Sequence, residues 1–174
     1  MQKIEEEIME STVDIDINKK IPKYTENIDI EKWKLLLKSL SFFKVFSDEE
    51  LEEIMRVSEL RKYELLERII TEGRLCDAIY IILKGRAIVE KKTKSKQAKL
   101  SVRVLEKGSC FGEAGLLLKE SRSATVKANS DVYAIRVTEK HIENFHSETK
   151  AKFFRQLSLD LSKRLLVSSE KIVG

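Results

Sequence analysis

The chain has 174 residues, which suits one domain with terminal extensions, and its 33 basic and 29 acidic residues leave a net charge of only +4. This near balance does not favour nucleic acid or an acidic membrane as a partner. No apolar run approaches the roughly 18 residues of a membrane span, and the N-terminus lacks an apolar signal core, so we expect a cytoplasmic protein. Cys76 and Cys110 stand far apart in the sequence, so we expect reduced thiols and no structural zinc.

The first 28 residues are predicted to form a flexible acidic arm. Glutamates and aspartates dominate its first half, and Pro22 interrupts any continuous element. A short helix in this arm would be only marginally stable in isolation. The alternative is that the arm docks on a partner protein. Residues 29–174 are predicted to form the folded domain.

Two helices are predicted before the first strand. Between Ile28 and Leu40, apolar residues recur at helical spacing on one stripe formed by Trp33, Leu36, Leu37 and Leu40. Ser47 and Glu50 form a capping-box pattern at the start of the next helix. Both helices are therefore expected to bury one face against the rest of the domain.

After Ser58 the helical spacing of apolar residues gives way to alternation, which is typical of strands. Runs rich in Ile, Val, Tyr and Leu occupy residues 59–65, 67–72, 78–85, 86–93, 99–108, 124–128 and 131–137. Two helices then end the chain, the first capped by Thr138 and the second running from about Lys150 to Ser169. The sequence therefore predicts a mainly β fold with flanking helices, a jelly roll (double-stranded β-helix) with N-terminal helices and two C-terminal helices.

Residues 107–126 interrupt the succession of strands. Gly112 permits a tight turn ahead of a predicted short helix over Glu113–Leu118, and Arg122 lies where the chain returns to a strand. An arginine fork pairs with a phosphate through two parallel hydrogen bonds, and a carboxylate accepts hydrogen bonds from sugar hydroxyls. If they share one cavity, Glu113 and Arg122 can bind a ribose and a phosphate side by side.

This segment resembles the phosphate-binding cassette of the cyclic nucleotide-binding domain family, in Phe111-Gly112-Glu113 and in Arg122-Ser123-Ala124-Thr125. The likeness extends over about residues 38–170. It departs from the family pattern at Ser121, where a proline is usual, and at Ala114, where a leucine is usual.

The resemblance implies that Glu113 holds the ribose 2′-hydroxyl and that Arg122 neutralises the cyclic phosphate. It implies a ligand-binding set of Gly112, Glu113, Ala114, Arg122, Ser123 and Ala124, with no metal and no further cofactor. The ligand is then cAMP or cGMP, and Ser123 directly after the arginine is compatible with both bases. In the family the last helix covers the base, which makes Leu161, Arg164, Leu165 and Val167 the candidate lid residues.

These features predict a non-enzymatic cyclic nucleotide sensor that signals to a separate protein partner through its C-terminal helices or its N-terminal arm. One alternative is a degenerate β-roll that serves only in protein interaction. Another is a fragment of a transcription factor of the related bacterial repressor and activator type, which would carry a DNA-binding domain after the last helix. An enzyme of the cupin type is disfavoured because His141 and His146 lie outside the predicted strands. The sequence decides neither between a monomer and a homodimer nor between activation and inhibition by the ligand.

Overall fold

The structure is a computed structural model that describes Lys3, Glu6, residues 30–92 and residues 99–173, with side chains omitted for 99–102 and 168–173. Apart from Lys3 and Glu6, the predicted acidic arm lies outside the described residues. The arm therefore stays a prediction.

Within residues 30–58, two helices precede the first strand, α1 at Ile30–Lys38 and α2 at Asp48–Val57. The predicted apolar stripe of α1 is buried, and it extends to Leu40 just beyond the helix. At the start of α2, the Ser47 hydroxyl accepts a hydrogen bond from the Glu50 N–H at 3.3 Å, while the Ser47 N–H donates to the Glu50 carboxylate at 2.7 Å. The predicted capping box is therefore confirmed.

Among the described residues, eight strands form two antiparallel sheets. The strands are β1 (Glu59–Tyr63), β2 (Arg68–Ile70), β3 (Ala78–Lys84), β4 (Ala87–Lys92), β5 (Lys99–Leu105), β6 (Cys110–Phe111), β7 (Thr125–Ala128) and β8 (Val132–Thr138). One sheet has the order β1-β8-β3-β6 and the other has the order β2-β7-β4-β5. This arrangement, with its flanking helices, confirms the predicted fold class.

The core has two layers that share the first sheet. Between the sheets, the inner face of β3 packs its Tyr80 and Ile82 against Val126 and Leu105 of the second sheet. The outer face of the first sheet is covered by helices, and a second apolar cluster there includes Ile81 of β3. Because β3 is buried on both faces, it reads as a continuous apolar run rather than as an alternating one.

Three further helices complete the domain, α3 (Glu113–Leu118), α4 (Glu139–Glu143) and α5 (Ser147–Val173). Helix α3 lies between β6 and β7 with the predicted bounds, and the Thr138 hydroxyl caps α4 by accepting the His141 N–H at 3.1 Å. Helix α5 begins at Ser147, earlier than the predicted Lys150. The reason is a contact from α2, because the Glu53 carboxylate accepts the His146 N–H and the Thr149 hydroxyl, each at 2.5 Å.

Candidate functional site

Gly112 forms the turn between β6 and α3 in the left-handed conformation, with a φ of 81°. Residues with a Cβ rarely adopt this conformation. A Cβ at this position would also lie 2.5 Å from Nη1 of Arg122, which is too close for any real contact. The glycine therefore allows the arginine side chain to lie directly against the main chain of the turn.

The Arg122 side chain is buried and held in one orientation by the protein. Nη1 donates to the Gly112 carbonyl at 2.8 Å, and Nη2 donates to the Ala78 carbonyl at 2.7 Å. Nη2 also reaches the Asp77 carboxylate at 3.1 Å, and the guanidinium carbon lies 5.9 Å from the centre of the Tyr80 ring. A guanidinium has five N–H donors, so these three contacts leave donors for an anion.

Glu113, the first residue of α3, is buried and paired with Arg164 from α5. Nη1 of Arg164 donates to Oε1 of Glu113 at 2.6 Å, and Nη2 donates to the Cys110 carbonyl at 2.6 Å and to Asp160. Burial by itself would lower the pKa of Arg164, but the charges of Glu113 and Asp160 outweigh it and raise this pKa. The last helix is thus tied by an ion pair to the segment that carries the predicted ribose ligand.

Glu113 and Arg122 line the same cavity, which has a volume of about 200 Å³. All six residues of the predicted ligand-binding set line it: Gly112, Glu113, Ala114, Arg122, Ser123 and Ala124. Apolar walls are supplied by Ile70, Val89, Leu105, Phe111 and Val126. Three arginines and one carboxylate face this space, so its charge suits an anionic ligand that also carries an apolar ring.

Of the four candidate lid residues, only Arg164 lines the cavity. Leu165 and Val167 point to solvent, with 71% and 53% of their surface exposed, and Leu161 is half-buried away from the cavity. Leu161 and Val167 each lie three positions from Arg164, close to its face of the helix, yet neither lines the cavity. A lid role for these three apolar residues stays a prediction.

Arg103 of β5 also lines the cavity, and the sequence analysis missed it. The alternation in this strand permits either face to point inward, because one face carries Val102 and Val104 and the other carries Arg103 and Leu105. In the structure Val104 is 51% exposed, whereas Leu105 is buried, so Arg103 shares the inner side of the strand with Leu105. No local signal decides between the two faces, because the register of β5 against β4 sets which of them points inward.

The structure also bears on the two cysteines, on possible metal ligands and on membrane-spanning helices. Burial raises the pKa of both thiols, strongly for Cys110 and less for Cys76, which disfavours the reactive thiolate. Among the described residues, no group of three or more His, Cys, Asp or Glu side chains is placed to hold a metal ion. Within the same part of the chain, no helix combines the length and the apolar character needed to cross a membrane.

Residues 60–149 match the profile of a protein family described as "Cyclic nucleotide-binding domain". The chain is 28% identical over 124 residues to a cGMP-dependent protein kinase from Eimeria tenella, and 26% identical over 132 residues to cGMP-dependent protein kinase 2 from Homo sapiens. These alignments cover 71% and 76% of this chain but only 12% and 17% of the two kinases. The chain therefore spans less than a fifth of the length of these relatives.

Solved structures share the fold at low sequence identity. A cyclic nucleotide-binding domain from Methylobacillus flagellatus superposes with a TM-score of 0.72 at 19% identity, over 83% of this chain and 82% of that one. The regulatory domain of Toxoplasma gondii PKA, crystallised with cAMP, gives a TM-score of 0.63 at 21% identity, over 74% of this chain and 49% of that one.

Proposed function

The chain belongs to the cyclic nucleotide-binding domain family, and from this premise we propose that its cavity binds cAMP or cGMP and that α5 reports the binding. The observation that carries the proposal is that Glu113 and Arg122, each only 5% exposed, line one cavity. Arg122 keeps N–H donors that its protein contacts do not use, so a phosphate can accept from them, and a ribose hydroxyl can donate to the Glu113 carboxylate.

In the proposed complex, Arg122 neutralises the cyclic phosphate. Its orientation is already set by the carbonyls of Gly112 and Ala78, so binding requires little reordering of the side chain. Gly112, Ala114, Ser123 and Ala124 line the same cavity and are neighbours of Glu113 and Arg122 in the sequence. We assign the phosphate to the part of the cavity formed by Arg122 and these residues.

The ribose is assigned to Glu113. Oε1 of this carboxylate is occupied by Arg164, while no described residue donates to Oε2. A sugar 2′-hydroxyl can therefore bind Oε2 beside the existing ion pair, or it can compete with Arg164 for Oε1. In either case the ligand and α5 interact with one carboxylate.

The signal is proposed to travel from α3 to the last two helices. Leu116 of α3 belongs to the same apolar cluster as Ile142 of α4 and Phe153 of α5. A ligand shifts the equilibrium between two positions of these helices only if it binds one of them more tightly than the other. The Glu113–Arg164 ion pair provides such a difference, because the ligand and α5 interact with the same carboxylate. The module itself is proposed to be non-enzymatic and to have its effect on a separate protein.

The partner is proposed to contact the outer side of α5. Leu159, Leu165 and Val167 expose 42%, 71% and 53% of their surface around this part of the helix, which offers apolar area for a contact. Because the similar sequences are named as cGMP-dependent protein kinases, an effector of the protein kinase class is the first to test. We keep the cytoplasm as the proposed location.

Calorimetric titration with cAMP and with cGMP tests the binding step. We expect heat of binding from at least one nucleotide, and a loss of affinity of at least about 30-fold in Arg122→Ala, because a phosphate would lose its charged partner. Arg155→Ala, which removes an exposed arginine of α5 outside the cavity, is the matched control and should bind as the wild type does.

Arg122 also holds main-chain carbonyls, so circular dichroism must establish that each variant folds. If Arg122→Ala fails to fold, Arg122→Lys keeps a positive charge but loses the two-pronged donor, and it should still weaken binding. The absence of heat from both nucleotides at millimolar concentration contradicts the proposal. So does unchanged affinity in a folded Arg122 variant.

A further inference from the structure

Arg122 belongs to a network of charged side chains that extends across the first sheet as far as β1. Nη2 of Arg122 reaches Oδ1 of Asp77 at 3.1 Å, and Arg136 of β8 binds Oδ2 of the same carboxylate. On its other side, Nη1 of Arg136 donates to Oε2 of Glu59 at 3.1 Å, and Arg61 donates to the same oxygen at 2.6 Å. Of these five residues, Arg122 is the one that lines the cavity.

The register of the first sheet places Arg136 in the middle of this network. Arg136 stands opposite Glu59 of β1 on one side and opposite Tyr80 of β3 on the other, and Asp77 lies one residue before β3. The Arg136 side chain is only 17% exposed. Burial alone would lower the pKa of Arg136, but its contacts with Tyr80 and Asp77 outweigh burial and raise this pKa. Arg136 is therefore a charged side chain that the sheet itself holds against Asp77.

The charges of the network do not cancel. Three guanidinium groups and two carboxylates leave one positive charge, and Arg122 presents the network to the cavity. The phosphate of a cyclic nucleotide is a diester with a single negative charge, so it can compensate this remaining charge. Asp77 and the phosphate are both anions that pair with the Arg122 guanidinium, so they compete for it. Arg136 limits this competition, because it binds Asp77 as well.

We infer that Arg136 is a positioning residue for phosphate binding: by holding Asp77, it leaves the positive charge of Arg122 available to the phosphate. The inference rests on the proposed function. Without Arg136 the charges of the network would sum to zero, and Asp77 could pair with Arg122 through both of its carboxylate oxygens. The Asp77 side chain is 60% exposed, so it can turn toward Arg122 without displacing a buried group.

Charge substitutions at Arg136 test this role. In Arg136→Gln we expect the dissociation constant for the preferred nucleotide to rise by about 5- to 20-fold, within the range for residues coupled in one salt-bridge network. Arg136→Lys keeps the positive charge, so it should retain most of the wild-type affinity. Calorimetric titration measures each constant. Arg155→Gln, which changes an exposed arginine of α5 outside the cavity, is the matched control and should bind as the wild type does.

A double-mutant cycle shows whether Arg136 acts through Asp77. Asp77→Asn removes the competing carboxylate, so Arg136→Gln should then change the affinity by less than about 2-fold. A purely structural role of Arg136 predicts a different result, because a general loss of packing weakens binding equally with and without Asp77.

Glu59→Gln is a second test, which remains informative if Arg136→Gln fails to fold. This substitution removes a negative charge from the same network and leaves Arg136 in contact with Asp77. The affinity for nucleotide should therefore stay at the wild-type value or rise. If the network acts only as a support for the sheet, Glu59→Gln should weaken binding as Arg136→Gln does.

The outcomes separate this inference from the proposed function. If the wild type binds a nucleotide and a folded Arg136→Gln variant binds it equally well, the positioning role is wrong while nucleotide binding stands. Equal losses from Arg136→Gln with and without Asp77, or a clear loss in Glu59→Gln, also overturn the positioning role alone. If the wild type binds neither cAMP nor cGMP, both proposals fail.

Discussion

At the scale of single residues, one carboxylate connects the cassette to the last helix. The Glu113 side chain is 7% exposed and the Arg164 side chain 20% exposed, so their ion pair is largely shielded from water. Removing one partner of such a pair leaves the other charge buried without compensation, which costs more than the pair itself contributes.

A double-mutant cycle measures this connection. Arg164→Ala is expected to lower the free energy of unfolding by about 2 kcal/mol, because Glu113 loses its charged hydrogen bond. Glu113→Gln should lower the free energy of unfolding less in the Arg164→Ala variant than in the wild type, with a coupling energy of about 1 kcal/mol or more. Urea denaturation of the four proteins checks this, and Lys163→Ala, at an exposed neighbouring position, should leave stability nearly unchanged. Strictly additive losses would contradict the contact.

The residues of the candidate site differ in how far sequence alone could reveal them. The positions of Glu113 and Arg122 were predicted because a short motif with fixed spacing encodes them, and the structure brings both to one cavity. Arg103 was missed because its direction depends on the register of β5 against β4. The register includes an irregularity between Val89 and Glu90, which no local pattern announces.

At the scale of elements, the start of α5 depends on α2. Burial alone would raise the pKa of Glu53, but the hydrogen bonds from the Thr149 hydroxyl and the His146 N–H outweigh it and lower this pKa below its usual 4.5. Because the carboxylate has a lower pKa in the folded than in the unfolded chain, its contribution to stability is present above pH 4.5. That contribution is lost as the pH falls through the folded value.

We therefore expect Glu53→Gln to weaken the dependence of stability on pH in the acid range. Between about pH 5 and pH 3, the free energy of unfolding should fall less steeply with acidification in Glu53→Gln than in the wild type. Urea denaturation at several pH values measures the slope. Glu64→Gln, which removes an exposed carboxylate in the turn before β2, serves as control and should keep a slope close to that of the wild type. Equal slopes in all three proteins would contradict the assigned role of Glu53.

The elements themselves were largely predictable, because alternation and capping are local properties. Strand β6 was not predicted, since its two residues, Cys110 and Phe111, are too few to form a pattern. Helix α5 begins earlier than local signals indicate, because Glu53, far away in the sequence, accepts the His146 N–H just before the helix and the Thr149 hydroxyl in its first turn. A short element and a contact between distant segments thus account for the two differences.

At the scale of the whole molecule, the cavity lies where α3 and α5 meet both sheets. Its lining comes from β2, β4, β5, β6, β7, α3 and α5, so a bound ligand contacts segments distributed over most of the domain. A ligand that binds only the folded state stabilises all of them together.

Thermal unfolding with and without the preferred nucleotide should show this effect. At a ligand concentration of about 100 times Kd, the stabilisation is about 2.7 kcal/mol, which for a chain of this length raises Tm by roughly 5–11 °C. Scanning calorimetry measures the shift. Folded Arg122→Ala should show almost none at the same concentration, and a shift as large as that of the wild type would indicate that stabilisation arises elsewhere.

The ion pair between Arg164 and Glu113 has a consequence for any protein that binds α5. Coupling between two binding equilibria is reciprocal. A partner that binds α5 after it has moved away from Glu113 therefore changes the affinity for nucleotide, and nucleotide changes the affinity for the partner by the same factor. The abundance of such a partner then sets the threshold concentration of nucleotide at which the molecule responds.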